Sequence, residues 1–130
     1  MPSFLTRWAF LAGAAYFICM ATAHFFGLKY PLLFVYWNTP YYSYQDMIIS
    51  FAVLAYVGLF YLASRSREAS VVACLVIVLT VIGLAAVNLS DDFQRFLEPG
   101  QSTWPYWLQT GLIAAYSATL VILTWRDHRA

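Results

Sequence analysis

Polar residues able to bind a metal ion or move a proton are few in this chain, and they lie near the ends of long apolar segments. Six of them are expected at the outer mouth of the bundle: His24, Asp46, Asn88, Asp91, Asp92 and Arg95. An imidazole beside several carboxylates could hold a metal ion or relay a proton. The simpler interpretation is structural, with His24 bonded to a carboxylate or carbonyl, Asp46 capping a helix and Asp92 paired with Arg95. Because the spacing matches no metal motif such as HExxH, we favour the structural interpretation and predict no metal site.

A wider set of side chains could supply the polar groups of an apolar cleft for a lipid-like or quinone-like molecule. The candidate ligand-binding residues are His24, Tyr36, Trp37, Asp46, Asn88, Gln109 and Tyr116. Aromatic side chains at a membrane surface more often act as anchors, so a structural role is the competing interpretation. No catalytic residue is predicted among them.

Cofactor and transport chemistry find little support in the sequence. Haem in a four-helix membrane bundle needs axial ligands such as histidines on facing helices. His24 has no partner at its depth, because His128 lies in the opposite tail, although two chains could each give one ligand. Ion-coupled transport usually shows an ionisable residue inside a span, and no span here has a central acid or base. We predict no cofactor, and a non-enzymatic protein is favoured over an enzyme.

The elements that must position these residues are membrane spans. Of the 130 residues, 62% are hydrophobic and 10% are charged, whereas soluble domains carry about 25% charged residues. Crossing a bilayer takes about 20 apolar residues, and four runs qualify, at 8–28, 47–63, 70–89 and 105–125. The fold class is therefore an all-α integral membrane protein, with residues 1–130 forming one transmembrane domain. No basic stripe suggests nucleic-acid binding.

The distribution of cationic residues predicts the orientation of the chain. Five arginines lie at the termini and between the second and third spans: Arg7, Arg65, Arg67, Arg126 and Arg129. Only Lys29 and Arg95 fall on the other side. The positive-inside rule then places both termini in the cytoplasm, with a bacterial inner membrane as the expected location. The spans alternate in direction, which predicts an antiparallel four-helix transmembrane bundle with two structured extracytoplasmic connections.

The first span also resembles a signal peptide. Arg7 precedes an apolar run, and the small residues at 21–23 form a possible cleavage site. The apolar run continues through Leu28, which is longer than the core of a usual signal peptide. We expect a retained helix.

The first extracytoplasmic connection is aromatic and too irregular to be a helix. Seven Phe, Tyr or Trp residues lie between Lys29 and Asp46. Pro31 and Pro40 each remove a backbone donor and disfavour a helix before them. Ser43 with Asp46 forms an S-x-x-D pattern that predicts the start of the second helix.

The second connection contains the sequence SDDFQRFLEPG. Ser90 or Asp91 could cap a short helix whose apolar side carries Phe93 and Phe96, ended by Pro99. Irregular backbone at membrane depth must find hydrogen-bond partners in protein or water. We therefore expect the two connections to pack on each other and to cap the bundle.

The helical period of the first span predicts the direction in which the His24 side chain points. At 100° per residue, Gly13, Phe17, Met20 and His24 fall on nearly one line. Ala9 and Gly13 form a small-xxx-small pair, which lets another helix approach closely. If this line faces a helix, His24 points into the bundle near its outer mouth.

Two hypotheses for function follow. The leading one is a small multi-pass membrane protein that acts as a non-enzymatic accessory or oligomer-forming subunit through its aromatic cap, with a homo-oligomer or a larger membrane complex as partner. The alternative is a binding or transport module for a lipid-like or quinone-like molecule near His24 and Asp46. An enzyme acting on a lipid-soluble substrate would need His24 and Asp46 within hydrogen-bond reach.

Overall fold

The computed structural model describes residues 1–130, and its regular secondary structure is entirely helical. The helices are α1 (Phe4–Phe26), α2 (Ser43–Ala63), α3 (Arg67–Leu89), α4 (Asp91–Phe96) and α5 (Trp104–Arg129). The four long ones are long and apolar enough to cross a membrane. The predicted all-helical fold with four such segments is confirmed.

Helices α2 and α3 begin before their apolar runs because polar residues form their first turns. Ser66 caps α3 by accepting a hydrogen bond from the Ala69 amide at 3.2 Å. Ser43 was expected to signal the start of α2, and the helix does begin there, but Tyr42 holds the N-cap position without a side-chain bond. The Asp46 carboxylate bonds His24 instead of capping its own helix. The expected S-x-x-D cap is therefore wrong.

Side chains join the helix ends at one end of the molecule. The Ser3 amide donates to Asp127 Oδ2 at 2.7 Å, which ties the start of α1 to the end of α5. Arg67 Nε donates to the Met1 carbonyl at 3.2 Å, which brings the start of α3 to the same place. At the other end lie the two long connections, residues 27–42 and 90–103.

Phe10, Phe17 and Phe60 form an aromatic cluster inside the bundle, in the half that contains the chain termini. Phe60 packs edge-to-face on Phe10 and Phe17, with ring centroids 5.4 and 5.2 Å apart. Gly13 makes this packing possible, because a Cβ there would lie 2.7 Å from Phe60 Cδ2 and would overlap the Tyr116 hydroxyl. Gly13 thus faces other helices of its own chain, as its line on α1 predicted.

The short helix α4 forms as the sequence predicted. Ser90 accepts a hydrogen bond from the Phe93 amide at 3.2 Å and so caps the helix. Phe93 is buried, whereas Phe96 is exposed. Arg95 lies 3.8 Å from Asp92, and both side chains are exposed.

Candidate ligand-binding site

Residues 27–42 leave α1 at a sharp turn and fold back over the bundle. Gly27 is left-handed, with φ of 66°, and the Leu28 amide donates to the Ala23 carbonyl at 2.8 Å. This is the usual end of a helix at glycine. A Cβ on Gly27 would lie 2.8 Å from Tyr41 Oη, so glycine also allows Tyr41 to pack there. We call residues 27–42 the cap segment.

Helix side chains satisfy the irregular backbone of the cap segment. Gln109, oriented to meet its hydrogen-bonding needs, donates to the Phe34 and Val35 carbonyls at 3.2 Å and accepts from the Leu32 amide at 3.3 Å. The Tyr16 hydroxyl donates to the Leu32 carbonyl. Because unpaired backbone groups are costly away from water, these bonds fix the path of the segment.

Tyr36 ties the cap segment to α3 and α5 through a buried amide. Its hydroxyl donates to Asn88 Oδ1 at 3.0 Å, and Asn88 Nδ2 donates to Thr110 Oγ1 at 3.0 Å. Asn88 is almost fully buried. Burial raises the pKa of Tyr36 to about 12. Tyr36 and Asn88 therefore act together as a clamp on the cap segment.

The two connections pack against each other, as expected. The Tyr36 ring lies 4.8 Å from Phe93 of α4 and 5.6 Å from Tyr106 of α5, centroid to centroid. Gln101 Nε2 donates to the Asn38 carbonyl at 3.1 Å. The rings of Tyr36, Phe93 and Tyr106 therefore pack against one another within the chain.

His24 and Asp46 meet under the cap segment. His24 Nδ1 lies 2.9 Å from Asp46 Oδ1, and each side chain is 12% exposed. The imidazole stacks on the Phe34 ring, with centroids 3.8 Å apart and planes 26° apart. The carboxylate and the stacked ring together fix the plane and the direction of the imidazole. We call this pair the His24–Asp46 dyad; it satisfies the geometry that the enzyme hypothesis required.

A cavity of about 770 Å³ lies between the dyad and the aromatic cluster. Its walls come from α1, α2, α3, α5 and the cap segment, and 17 of its 26 lining residues are hydrophobic. Ligand pockets for small molecules commonly measure about 300–1,000 Å³ and are mostly apolar. The cavity is therefore large enough for a ring with an alkyl chain.

Two interhelical hydrogen bonds involve hydroxyls that line this cavity. Tyr56 and Thr80 hydroxyls are 2.6 Å apart and link α2 to α3. The Tyr116 hydroxyl donates to the Ala9 carbonyl at 2.8 Å and links α5 to α1. Both bonds use polar groups that would otherwise face an apolar space.

The dyad keeps hydrogen-bonding capacity that the protein does not use. His24 Nε2 and Asp46 Oδ2 make no hydrogen bond to the protein. No fully buried side-chain nitrogen or oxygen lacks a partner, so both atoms keep accessible surface. Since both residues line the cavity, they can meet a ligand there.

The predicted ligand-binding residues fall into groups. His24, Asp46, Tyr36, Gln109 and Tyr116 line the cavity, whereas Asn88 and Trp37 do not. The hydroxyl or amide groups of Tyr36, Asn88, Gln109 and Tyr116 are engaged within the protein.

Sequence reasoning missed several polar residues of the cavity wall, among them Tyr16 and Lys29. Tyr16 lies three residues after Gly13, so the helical period of α1 could have found it. Lys29 is the only lysine in the chain, and its ammonium donates to the Thr39 carbonyl beside the Tyr41 ring. An isolated lysine within an aromatic segment was the available signal.

No three His, Cys, Asp or Glu side chains lie close enough together to hold a metal ion. No protein-family model, curated protein sequence or solved structure matches this chain.

Proposed function

We propose that this chain is a membrane protein that binds an uncharged, mostly apolar small molecule, lipid-like or quinone-like, with the polar end of that molecule at the His24–Asp46 dyad. The observation that carries the proposal is the apolar cavity of about 770 Å³ with the dyad in its wall. Apolar sites with a few well-placed polar groups are the usual form of small-molecule sites. The dyad also has the geometry that proton transfer would need. A carrier and an enzyme would both begin by binding the molecule in this cavity.

Charge at the cavity supports an uncharged ligand. Two residues with opposite formal charges line it, Asp46 and Lys29. Their charges offset each other, so neither a cation nor an anion gains a strong net attraction. A neutral headgroup with an apolar tail suits both the charge and the lining.

The membrane orientation belongs to the same proposal. Four apolar helices crossing the bilayer in antiparallel order would place the Ser3–Asp127 and Arg67–Met1 contacts on the cytoplasmic side, as the positive-inside rule requires. The cap segment and α4 would then face the extracytoplasmic side of a bacterial inner membrane. A ligand beneath the cap segment would sit in the outer half of the bilayer.

Two sets of contacts support small-molecule binding over the accessory-subunit hypothesis. Gly13, the small residue expected to admit another helix, is already packed against Phe60 and Tyr116 of its own chain. Tyr36 is already packed on Phe93 and Tyr106. Gly13 and Tyr36 belong to the small-residue line and the aromatic cap that suggested an oligomeric subunit, and both pack within one chain.

Filling the cavity tests the proposal. Val53 lines the cavity, whereas Val72 on α3 is 51% exposed and does not line it. Protein extracted gently and examined by native mass spectrometry should carry a bound apolar molecule in the wild type. Val53→Trp should lose that molecule and Val72→Trp should keep it. Equal occupancy in Val53→Trp and wild type, or no bound molecule in either, would refute the proposal.

A further inference from the structure

We infer that the ligand's headgroup is a hydroxylated aromatic ring, a phenol or quinol, whose O–H donates a hydrogen bond to His24 Nε2. The inference rests on the proposed function, because it names the chemical class of the molecule in the same cavity. It separates the reduced, hydroxyl-bearing form of a ring from its carbonyl or ether counterpart.

The hydrogen bond between the dyad partners sets the role of His24 Nε2. An ionised carboxylate only accepts hydrogen bonds, so the proton between Asp46 Oδ1 and His24 Nδ1 belongs to Nδ1. In a neutral imidazole with Nδ1 protonated, Nε2 is an acceptor. The second oxygen of Asp46 is an acceptor as well. With the imidazole neutral, the dyad offers acceptors to the cavity, and a ligand that fits this state supplies a donor.

Three tyrosine hydroxyls of the cavity wall already donate within the protein, whereas the Tyr42 hydroxyl and part of the Lys29 ammonium do not. Thr80 donates to the Val76 carbonyl at 2.9 Å, so the Tyr56 hydroxyl must donate to Thr80. Tyr116 donates to the Ala9 carbonyl, and Tyr36 donates to Asn88. A carbonyl headgroup at the dyad would leave the imidazole nitrogen unpaired, whereas a hydroxyl headgroup donates to it.

Aromatic side chains near the dyad favour a flat ring. Phe34 stacks on His24, and Phe17 and Tyr56 line the same cavity with centroids 5.0 Å apart. Aromatic rings pack well on one another in offset or edge-on arrangements. A ring at the dyad with its alkyl chain directed toward Phe17 would use both parts of the cavity.

A matched pair of probes tests the inference without redox chemistry. 4-Nonylphenol and 4-nonylanisole differ only at the ring oxygen, which carries a hydrogen in the phenol and a methyl group in the anisole. Binding of each radiolabelled probe is measured by equilibrium dialysis to the full chain in lipid nanodiscs, with empty nanodiscs subtracted. We expect the phenol to bind about tenfold more tightly than the anisole, because the ether would leave the imidazole nitrogen unpaired.

Substitution of the histidine gives the second arm of the test. His24→Phe keeps a flat ring on Phe34 but removes the acceptor, so the phenol-to-anisole preference should fall to about onefold while the anisole still binds. His128→Phe is the matched control, because His128 bonds the Thr124 carbonyl within the last turns of α5 and does not line the cavity. That variant should keep the tenfold preference.

The outcomes separate the two proposals. If both probes bind the wild type equally, or the anisole binds more tightly, the hydroxyl inference is overturned and the cavity remains a binding site. An unchanged preference in His24→Phe also overturns it. If neither probe binds above empty nanodiscs while the wild type remains folded, the proposed function itself fails, and the inference fails with it.

Discussion

His24 Nδ1 and Asp46 Oδ1 lie 2.9 Å apart although 22 positions separate the residues in the chain. The contact joins the last turn of α1 to the first turns of α2, on either side of the cap segment. It fixes the imidazole at the wall of the cavity and leaves Nε2 without a protein partner. The proposed function depends on this pairing.

A double-mutant cycle measures the strength of the pairing. Removing His24 and Asp46 singly and together to Ala should show a coupling of about 1.5–3 kcal/mol in the free energy of unfolding, because a largely buried hydrogen bond to a charged group is strong. The same cycle on Asp92 and Arg95, whose side chains are 89% and 76% exposed, should show little coupling. The measurement is reversible unfolding in mixed detergent micelles. Equal coupling in the two cycles would contradict the assignment.

Substitution of Gly13 tests the close packing of α1. Gly13→Ala should destabilise the fold by about 1–3 kcal/mol, because the added Cβ displaces Phe60 and Tyr116. Gly83→Ala is the control, since no other atom lies within 4 Å of a Cβ there. That change should be neutral or stabilising by up to about 1 kcal/mol, because alanine favours a helix more than glycine does. Both are measured by thermal unfolding, and a stable Gly13→Ala protein would count against the packing.

Gln109→Leu should release the cap segment while leaving the helices intact. The Phe34 and Val35 carbonyls and the Leu32 amide lose their partner, so hydrogen exchange across residues 32–35 should become about tenfold faster or more. Gln94→Leu, which removes a bond to the Asn88 carbonyl, serves as the control and should leave exchange at 32–35 unchanged. Exchange is read by mass spectrometry. Unaltered exchange in Gln109→Leu would mean that another group holds the segment.

The burial of Tyr36 predicts a loss of stability in alkali. Its pKa is raised to about 12 by burial, whereas the pKa of an exposed tyrosine is about 10. The unfolded chain therefore loses this proton first, and the contribution of Tyr36 to stability is complete below about pH 10 and falls between about pH 10 and 12. Tyr36→Phe should reduce the ultraviolet tyrosinate signal that develops near pH 12 by the amplitude of one tyrosine. A Tyr36→Phe protein with the wild-type titration would contradict the burial.

The sequence predicted the elements of this fold better than it predicted their contacts. Apolar length identified the four long helices, and the α1 line of Gly13, Phe17 and Met20 correctly predicted which side faces inward. The start of α2 at Ser43 was correct, but its side-chain cap was wrong, because Asp46 bonds His24 across the cap segment. Local capping rules do not include such a contact between distant positions.

The candidate site was predictable as a set of residue types but not as an arrangement. Tyr36 and Gln109 were predicted as ligand handles from their polar groups. Nothing local indicates that their hydrogen bonds go to Asn88 and to backbone carbonyls, because those pairings depend on how the cap segment folds back. The cavity likewise arises from packing between helices and has no signature in any one of them.

A structure of the chain in nanodiscs with 4-nonylphenol added would test the central claim most directly. The account predicts a ring beneath the cap segment, with its oxygen within about 3 Å of His24 Nε2 and its alkyl chain running toward Phe17 inside the cavity. Density for the phenol only on the lipid-facing surfaces of the helices, with the cavity free of it, would contradict the account.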